Sequence, residues 1–277
     1  MIYIELKIPK PANQDKSDLL IAEMADHGFE SFVEKTDSIL AYIPQKNYAT
    51  ELLLQIEGLK FFDHKQLTLK VIEDQNWNAV WESNYPPVSI GGRCFIHAPF
   101  HNPNPEVEFN ILIKPKMAFG TAHHETTAMM VELLLDEAVE DKRVLDMGAG
   151  TAVLAILAAM KGAAYIRAID NDEWAYNNAI ENIKLNRIEN IDVELGDANI
   201  LHNKDGFDLI LANINKNILL NDMSAYTRVL KSGGEILLSG FYEDDLEDIR
   251  YAAKQNGMNF VLNKNCNKWV AAKFVKQ

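Results

Sequence analysis

Cysteine is almost absent from this sequence: Cys94 and Cys266 are the only two among 277 residues. Two thiols so far apart fit neither a disulfide framework nor a zinc site, and a reducing compartment is expected. His123 and His124 are adjacent, so their side chains diverge, and no third ligand follows at a suitable spacing. We therefore expect no metal ion.

Long apolar runs are missing as well. No stretch is long enough to span a bilayer. The first residues, Met1-Ile2-Tyr3-Ile4-Glu5, lack the basic and apolar regions of a signal peptide. The sequence therefore predicts a soluble cytoplasmic protein without a membrane partner.

Basic residues are few relative to acidic ones. The chain has 27 Lys and Arg against 40 Asp and Glu, which gives a net charge of −13. Such a surface repels phosphates, so we expect no direct binding to nucleic acid. It suits a basic protein partner, although many cytosolic enzymes are acidic for solubility alone.

The first 72 residues predict a small domain. Residues 2–8 alternate apolar and polar side chains, as in a half-buried strand. The patterns that follow give the order strand, helix, strand, strand, helix, strand, with the second helix over residues 48–56. This order is typical of a ferredoxin-like α+β domain. The region carries no ligand motif, so we predict substrate recognition for residues 1–72; the alternative is a purely stabilising role.

A connector is predicted between this domain and the rest of the chain, over residues 73–90. It contains Trp77 and Trp81, which we expect to pack against a domain. Strands over residues 93–98 and 107–113 then lead, as a predicted hairpin, into the larger domain.

Residues 91–277 predict a doubly wound α/β domain. From residue 143 onward strands alternate with helices, giving a sheet of about seven strands. The last two strands are joined by residues 265–268 alone, too few for a parallel crossover, and must be antiparallel. A doubly wound sheet that ends in an antiparallel hairpin is the shape of class I methyltransferases.

A glycine motif lies at the first strand-to-helix turn of this domain, with Gly148 and Gly150 two residues apart. Asp170 ends the next strand, where an acid commonly binds the two hydroxyls of a ribose. The third glycine of a dinucleotide fingerprint is replaced by Val153. Asp146 would repel a pyrophosphate but attract an ammonium group. A ribose joined to an ammonium group indicates S-adenosylmethionine rather than NAD.

Two later strand ends carry further candidates. Asp197 can accept a hydrogen bond from an adenine amino group or can belong to a solvated turn, and both alternatives stay open. Asn213 follows the fourth strand, where reacting groups lie in open α/β sheets. Its amide can orient an amine, which makes it the catalytic candidate; the alternative is an asparagine-rich turn that caps the next helix.

The chain resembles the large-subunit ribosomal protein L11 methyltransferases. The resemblance rests on Phe119-Gly120-Thr121-Ala122-His123-His124-Glu125-Thr126-Thr127, Val144-Leu145-Asp146-Met147-Gly148-Ala149-Gly150 and Ala212-Asn213-Ile214. It implies that Thr127, Gly148, Asp170 and Asn213 contact S-adenosylmethionine. It also implies that the N-terminal domain grips the ribosomal protein.

This resemblance implies methylation of lysine ε-amino and N-terminal α-amino groups of ribosomal protein L11. Two positions depart from the family pattern: Ala122 and Ala152 stand where the family usually has glycine. Two alternatives remain. One is a class I methyltransferase for another protein or a small molecule; the other is a non-catalytic module that binds the ribosomal protein.

Overall fold

The chain folds as two compact units, residues 1–85 and 86–277. The computed structural model describes residues 2–11, 13–49, 51–62, 66–72, 86–114, 120, 122–202 and 206–277. Most of the predicted connector, including Trp77 and Trp81, lies outside these residues. None of the helices that the structure describes is long and apolar enough to cross a bilayer.

The first unit contains a four-stranded antiparallel sheet. Its strands are β1 (Tyr3–Pro9), β2 (Ser31–Glu34), β3 (Ser38–Pro44) and β4 (Thr68–Ile72), and its helices are α1 (Gln14–Asp26) and α2 (Leu52–Gln55). The strand order is β2-β3-β1-β4, which is the order of the predicted ferredoxin-like domain. Alternation in β1 buries Ile4, Leu6 and Ile8 in one apolar core with α1.

The second helix of this unit differs from the prediction over residues 48–56. Helix α2 is a single turn, and a 3₁₀ segment, Glu57–Phe61, follows it. At the C-terminal side of α2, the carboxylate of Glu23 on α1 accepts the N–H groups of Glu57 and Gly58 at 2.6 and 2.9 Å. Because these amides bond to Glu23, they are not available to extend an α-helix.

The second unit contains a mixed seven-stranded sheet. Its strands are β8 (Arg143–Met147), β9 (Tyr165–Asp170), β10 (Ile191–Leu195), β11 (Phe207–Asn213), β12 (Leu230–Tyr242), β13 (Met258–Cys266) and β14 (Trp269–Lys276). The helices are α3 (Glu125–Asp136), α4 (Val153–Met160), α5 (Glu173–Leu185), α6 (Lys216–Val229) and α7 (Leu246–Gln255). The order β10-β9-β8-β11-β12-β14-β13 confirms the doubly wound fold. The antiparallel hairpin is also confirmed, and β14 lies between β12 and β13.

A small three-stranded sheet precedes this large one. It consists of β5 (Val88–Ile90), β6 (Cys94–His97) and β7 (Phe109–Leu112). The predicted hairpin is wrong, because β6 and β7 pair in parallel. The intervening segment, residues 98–108, is long enough to return the chain to the start of the strand. Asn110 fixes this return by bonding to the backbone of Asn104 through both amide atoms, at 2.8 Å each.

The large sheet separates two apolar cores. Residues of β8 alternate between them: Val144 belongs to the core that contains α4, and Leu145 and Met147 belong to the core that contains α6. Asp146 therefore shares a face with Val144 and points toward α4. The carboxyl ends of β8, β9, β11 and β12 leave these cores at one edge of the sheet, where the candidate site lies.

Candidate functional site

The turn between β8 and α4 forms the floor of the site. Gly148 and Gly150 have left-handed backbone conformations, with φ of +67° and +55°. A Cβ on Gly148 would lie 2.3 Å from the Ile214 side chain, so glycine is required there. Its N–H donates to the carbonyl of Ile169 at 2.8 Å. These contacts bind the turn to the neighbouring strand β9 and to the loop after β11.

The two departures from the family pattern lie at positions with a left-handed backbone conformation. Ala152, at the start of α4, has φ of +62°, and Ala122, ahead of α3, has φ of +65°. Both are almost completely buried. Alanine here adopts the left-handed conformation that glycine takes without steric cost. Both alanines therefore have a backbone conformation that is typical of glycine.

Asp170 is held rigidly at the end of β9. Its Oδ2 accepts the N–H of Gly150 at 2.8 Å, and its Oδ1 accepts the N–H of Asp172 at 3.0 Å. Asp172 in turn caps α5 by accepting the N–H groups of Trp174 and Ala175. A carboxylate oxygen has more than one acceptor position, so both oxygens can still bind hydroxyl groups.

Asp146 lies behind the turn and is only 1% exposed. Its Oδ2 accepts the N–H of Ala155, in the first turn of α4, at 3.1 Å. Burial raises the pKa of this carboxyl to about 7, and the negative charge of Asp170 acts in the same direction. A cation placed near this turn would favour the ionised form.

Asn213 is the end of β11 and meets the first turn of α3. Its Nδ2 donates to Oγ1 of Thr127 at 3.1 Å, and both residues are buried. Its Oδ1 has no hydrogen-bond partner within the described residues. A buried amide oxygen without a donor is costly. This oxygen therefore indicates a ligand with an N–H or O–H group.

These strand ends surround one cavity of about 460 Å³, within the range of small-molecule sites. Its lining residues are His124, Thr126, Gly148, Gly150, Asp170, Asn171, Asp172, Trp174, Ala175, Asn213, Ile214, Asn215, Ile218, Gly240 and Trp269. Thr127 joins this group through its bond to Asn213.

Asp197 is not among the residues that line this cavity. It is exposed, and its carboxylate accepts the N–H and the side-chain amide of Asn199 at 2.9 and 3.1 Å. This geometry is that of a capped turn, and the adenine contact stays a prediction. Within the described ranges, no three His, Cys, Asp or Glu side chains are grouped as metal ligands.

Sequence reasoning missed the aromatic part of the site. Trp269 lines the cavity, and its ring is stacked on Tyr242 with centroids 4.0 Å apart. The rings of His124 and Trp269 pack in an edge-to-face arrangement, with their centroids 4.9 Å apart. Trp269 lies far along the chain from the glycine motif and carries no motif. Only the placement of β14 beside β12 brings it here.

The comparisons with known proteins agree on one family. The family model described as "Ribosomal protein L11 methyltransferase (PrmA)" matches residues 10–277. A protein of Phocaeicola vulgatus named ribosomal protein L11 methyltransferase is 47% identical, covering 99% of each chain. One of Bacteroides fragilis with the same name is 46% identical, covering 96% of each chain.

A solved structure shows the same fold. The crystal structure of a ribosomal protein L11 methylase from Lactobacillus delbrueckii subsp. bulgaricus superposes with a TM-score of 0.63 at 28% identity. The match covers 70% of this chain and 100% of that one. By the extent of the family match and the identity to these relatives, the chain belongs to the ribosomal protein L11 methyltransferase family and is an S-adenosylmethionine-dependent methyltransferase.

Proposed function

We propose that this enzyme transfers methyl groups from S-adenosylmethionine to lysine ε-amino and N-terminal α-amino groups of ribosomal protein L11, in the cytoplasm. The names of its relatives support the substrate. The observation that carries the chemistry is the buried Oδ1 of Asn213, a residue that lines the cavity; this oxygen has no hydrogen-bond donor among the described residues. An amine is a donor that fits it.

The residues of the cavity fit the cofactor. Asp170 offers acceptors for two ribose hydroxyls beside the N–H of Gly150. Asp146 supplies a negative charge behind the Gly148 turn, which suits the ammonium group of the methionine part. We assign Gly148, Gly150, Thr127 and Asn213 to the same binding site on the family pattern. Asp197 is a candidate for the adenine.

The cofactor, when bound, supplies a sulfonium methyl group that an amine lone pair displaces from sulfur. The protein has to hold the amine in line, which is catalysis by orientation. Thr127 fixes the Asn213 amide by accepting its Nδ2–H, which leaves Oδ1 as the amide's acceptor for the substrate. Oδ1 then accepts an N–H of the amine, and the amine's proton leaves to water.

In this proposal the first unit binds ribosomal protein L11 and so recruits the substrate. It has an apolar core of its own and no ligand motif. Its surface carries a groove of about 540 Å³ between α1 and the 3₁₀ segment. Leu19 and Phe61 line this groove and are 71% and 89% exposed. Exposed apolar side chains of this size are typical of a protein-binding surface.

The test of substrate class is a radiolabelling experiment. The enzyme is incubated with labelled S-adenosylmethionine and purified L11, beside L11 whose amino groups are blocked by acetylation. We expect label in unblocked L11 alone. Label in blocked L11, or in another protein only, would refute amine methylation of L11. Tight L11 binding without any label would indicate the non-catalytic module instead.

The role of Asn213 is tested by Asn213→Ala. Because orientation acts mainly in the transition state, we expect single-turnover methylation to slow roughly 10²-fold with a much smaller change in cofactor affinity. Thr127→Val should slow it less, since the amide remains but loses its fixed orientation. Asn221→Ala, which removes an exposed amide that donates to Asp222 outside the site, is the control. A variant with weak cofactor binding and a normal rate would make Asn213 a cofactor contact only, leaving Asn215 or Thr126 as candidates.

A further inference from the structure

Aromatic residues from three separate elements border the cavity: His124 and Trp269 line it, and Tyr242 stacks on Trp269 beyond the lining residues. Tyr242 ends β12 and pairs with Trp269, the first residue of β14. Their rings stack with an interplanar angle of 30°. His124 precedes α3 and contacts Trp269 edge-on. We refer to Tyr242, Trp269 and His124 as the aromatic wall.

The aromatic wall and Asn213 both contact the first turn of α3. Nδ1 of His124 caps α3 by accepting the N–H of Thr126 at 3.3 Å. The next residue of that helix, Thr127, holds the Asn213 amide. Two adjacent residues in the first turn of one helix therefore contact His124 and Asn213, which both line the cavity.

Tyr242 carries the wall outward to the protein surface. It is 49% exposed, whereas Asn213 at the inner end is 8% exposed. An acidic run, Glu243–Asp248, begins immediately after it and contains five carboxylates. Asp245 and Asp248 bond to Lys216, the residue next to the cavity-lining Asn215, at 2.7 Å each.

The acidic run keeps excess negative charge. The cations paired with its five carboxylates are Lys216 and Arg250, which leaves an excess of three negative charges. Asp244 is exposed and has no hydrogen bond or ion pair with the described residues. The backbone carbonyl of Lys268 accepts the N–H of Glu243. Among the described residues, the side chain of Lys268 makes no ion pair with the acidic run.

We propose that the aromatic wall and the acidic run form the entrance for the acceptor, and that its occupant is a lysine within a basic polypeptide segment. The wall takes the lysine side chain, because aromatic faces attract cations and pack against methylene groups. The acidic run binds basic residues that flank this lysine. The inference rests on the proposed function and adds a recognition surface to it.

The charges decide between classes of occupant. A phosphate-bearing or acidic acceptor would be repelled by the three uncompensated carboxylates. An uncharged apolar segment would gain nothing from them. A basic segment satisfies both the acidic run and the aromatic faces.

The charge component is tested by the double variant Asp244→Lys with Glu247→Lys. KM for L11 should rise about tenfold at low salt, kcat should fall less than twofold, and the KM difference should shrink at high salt because the interaction is screened. The matched control is Glu140→Lys with Glu189→Lys, an equal charge change on exposed residues ahead of β8 and β10, at the opposite edge of the sheet. An equal rise in KM for both double variants would overturn the entrance.

The aromatic component is tested by Tyr242→Leu against Tyr242→Phe. Loss of the ring in Tyr242→Leu should raise KM several-fold. Tyr242→Phe should keep KM close to the wild-type value, since only the ring is needed. Equal loss in both variants would assign the effect to the hydroxyl and refute the wall. Fluorescence anisotropy measures the binding of L11 to enzyme saturated with S-adenosylhomocysteine, which gives a readout without turnover. The affinity for L11 must fall in the same variants in which KM rises.

The same experiments separate this inference from the proposed function. If the wild-type enzyme labels no amine of L11, the proposed function fails. If it labels L11 and the variants at Asp244, Glu247 and Tyr242 keep wild-type KM and binding, the entrance alone fails. Calorimetric titration with S-adenosylmethionine should give wild-type affinity in all variants that retain their fold.

Discussion

Replacing Gly240 with alanine should displace the loop that begins directly after Asn213. Gly240 lies near the end of β12 with φ of +96°. A Cβ there would be 2.2 Å from the carbonyl oxygen of Ile214 and 2.6 Å from its carbonyl carbon. On its other side Ile214 meets Gly148, where a Cβ would lie 2.3 Å away. Ile214 is thus held between two glycines, directly after Asn213.

The size of the displacement follows from these distances. Ordinary van der Waals contact begins at 3.4 Å, so the Ile214 peptide must move by about 1.2 Å. Its N–H bond to Ser239, at 3.1 Å, would be lost or lengthened. A misplacement of about 1 Å can cost roughly 10²-fold in rate. The left-handed backbone adds destabilisation of about 1–2 kcal/mol for any residue with a Cβ.

The assay is single-turnover methylation at saturating cofactor, with thermal unfolding and cofactor titration in parallel. Gly233→Ala is the matched control, because Gly233 lies on the same strand with φ of +74° and has no atom within 4 Å of its added Cβ. It carries the backbone penalty without the clash. A Gly240→Ala enzyme that unfolds like Gly233→Ala and reacts at the wild-type rate would refute positioning through Ile214.

Three further predictions use other parts of the structure. Asp170→Asn should lower S-adenosylmethionine affinity at least about tenfold, because a charge-assisted acceptor is lost; unchanged affinity by calorimetry would remove the ribose assignment. For Asp146, the native pKa of about 7 lies above the value of 3.8 for a free carboxyl, so the wild type loses unfolding free energy as pH rises through this window. Asp146→Asn keeps an acceptor for Ala155 and should gain relative to wild type from pH 5 to pH 8, by at most roughly 3 kcal/mol in urea unfolding; a pH-independent difference would contradict this. A protein that begins at Pro86 should bind the cofactor and fail to methylate L11, and full L11 methylation would contradict recruitment by the first unit.

The part of the candidate site around the glycine motif could be predicted because its residues are local in the sequence. Gly148 and Gly150 lie in one turn, and Asp170 lies at the end of the next strand along the chain. Adjacent parallel strands place such ends side by side. The structure confirms this proximity with the 2.8 Å bond from Gly150 to Asp170.

The aromatic end could not be predicted in the same way. Trp269 reaches the cavity because β14 is inserted between β12 and β13, which is a choice of strand order that apolar periodicity does not encode. The end of the second helix of the first unit depends on a similar long-range contact. The Glu23 carboxylate that takes the amides of Glu57 and Gly58 lies on another element, α1. In both cases a long-range contact overrode the local pattern.

The distribution of charge along the cavity addresses a conflict in amine methylation. A substrate lysine arrives protonated and is attracted by carboxylates, but it must lose its proton before its lone pair can react. A carboxylate beside the reacting nitrogen would stabilise the ammonium form. Here the uncompensated carboxylates of the acidic run lie at the surface, beyond Tyr242, whereas the group at the inner end is the uncharged amide of Asn213. Asn213→Asp separates these roles: it should strengthen or preserve L11 binding to the enzyme with S-adenosylhomocysteine, yet slow methylation and shift its pH dependence toward higher pH. A rate and pH profile equal to wild type would show that the inner group need not be neutral.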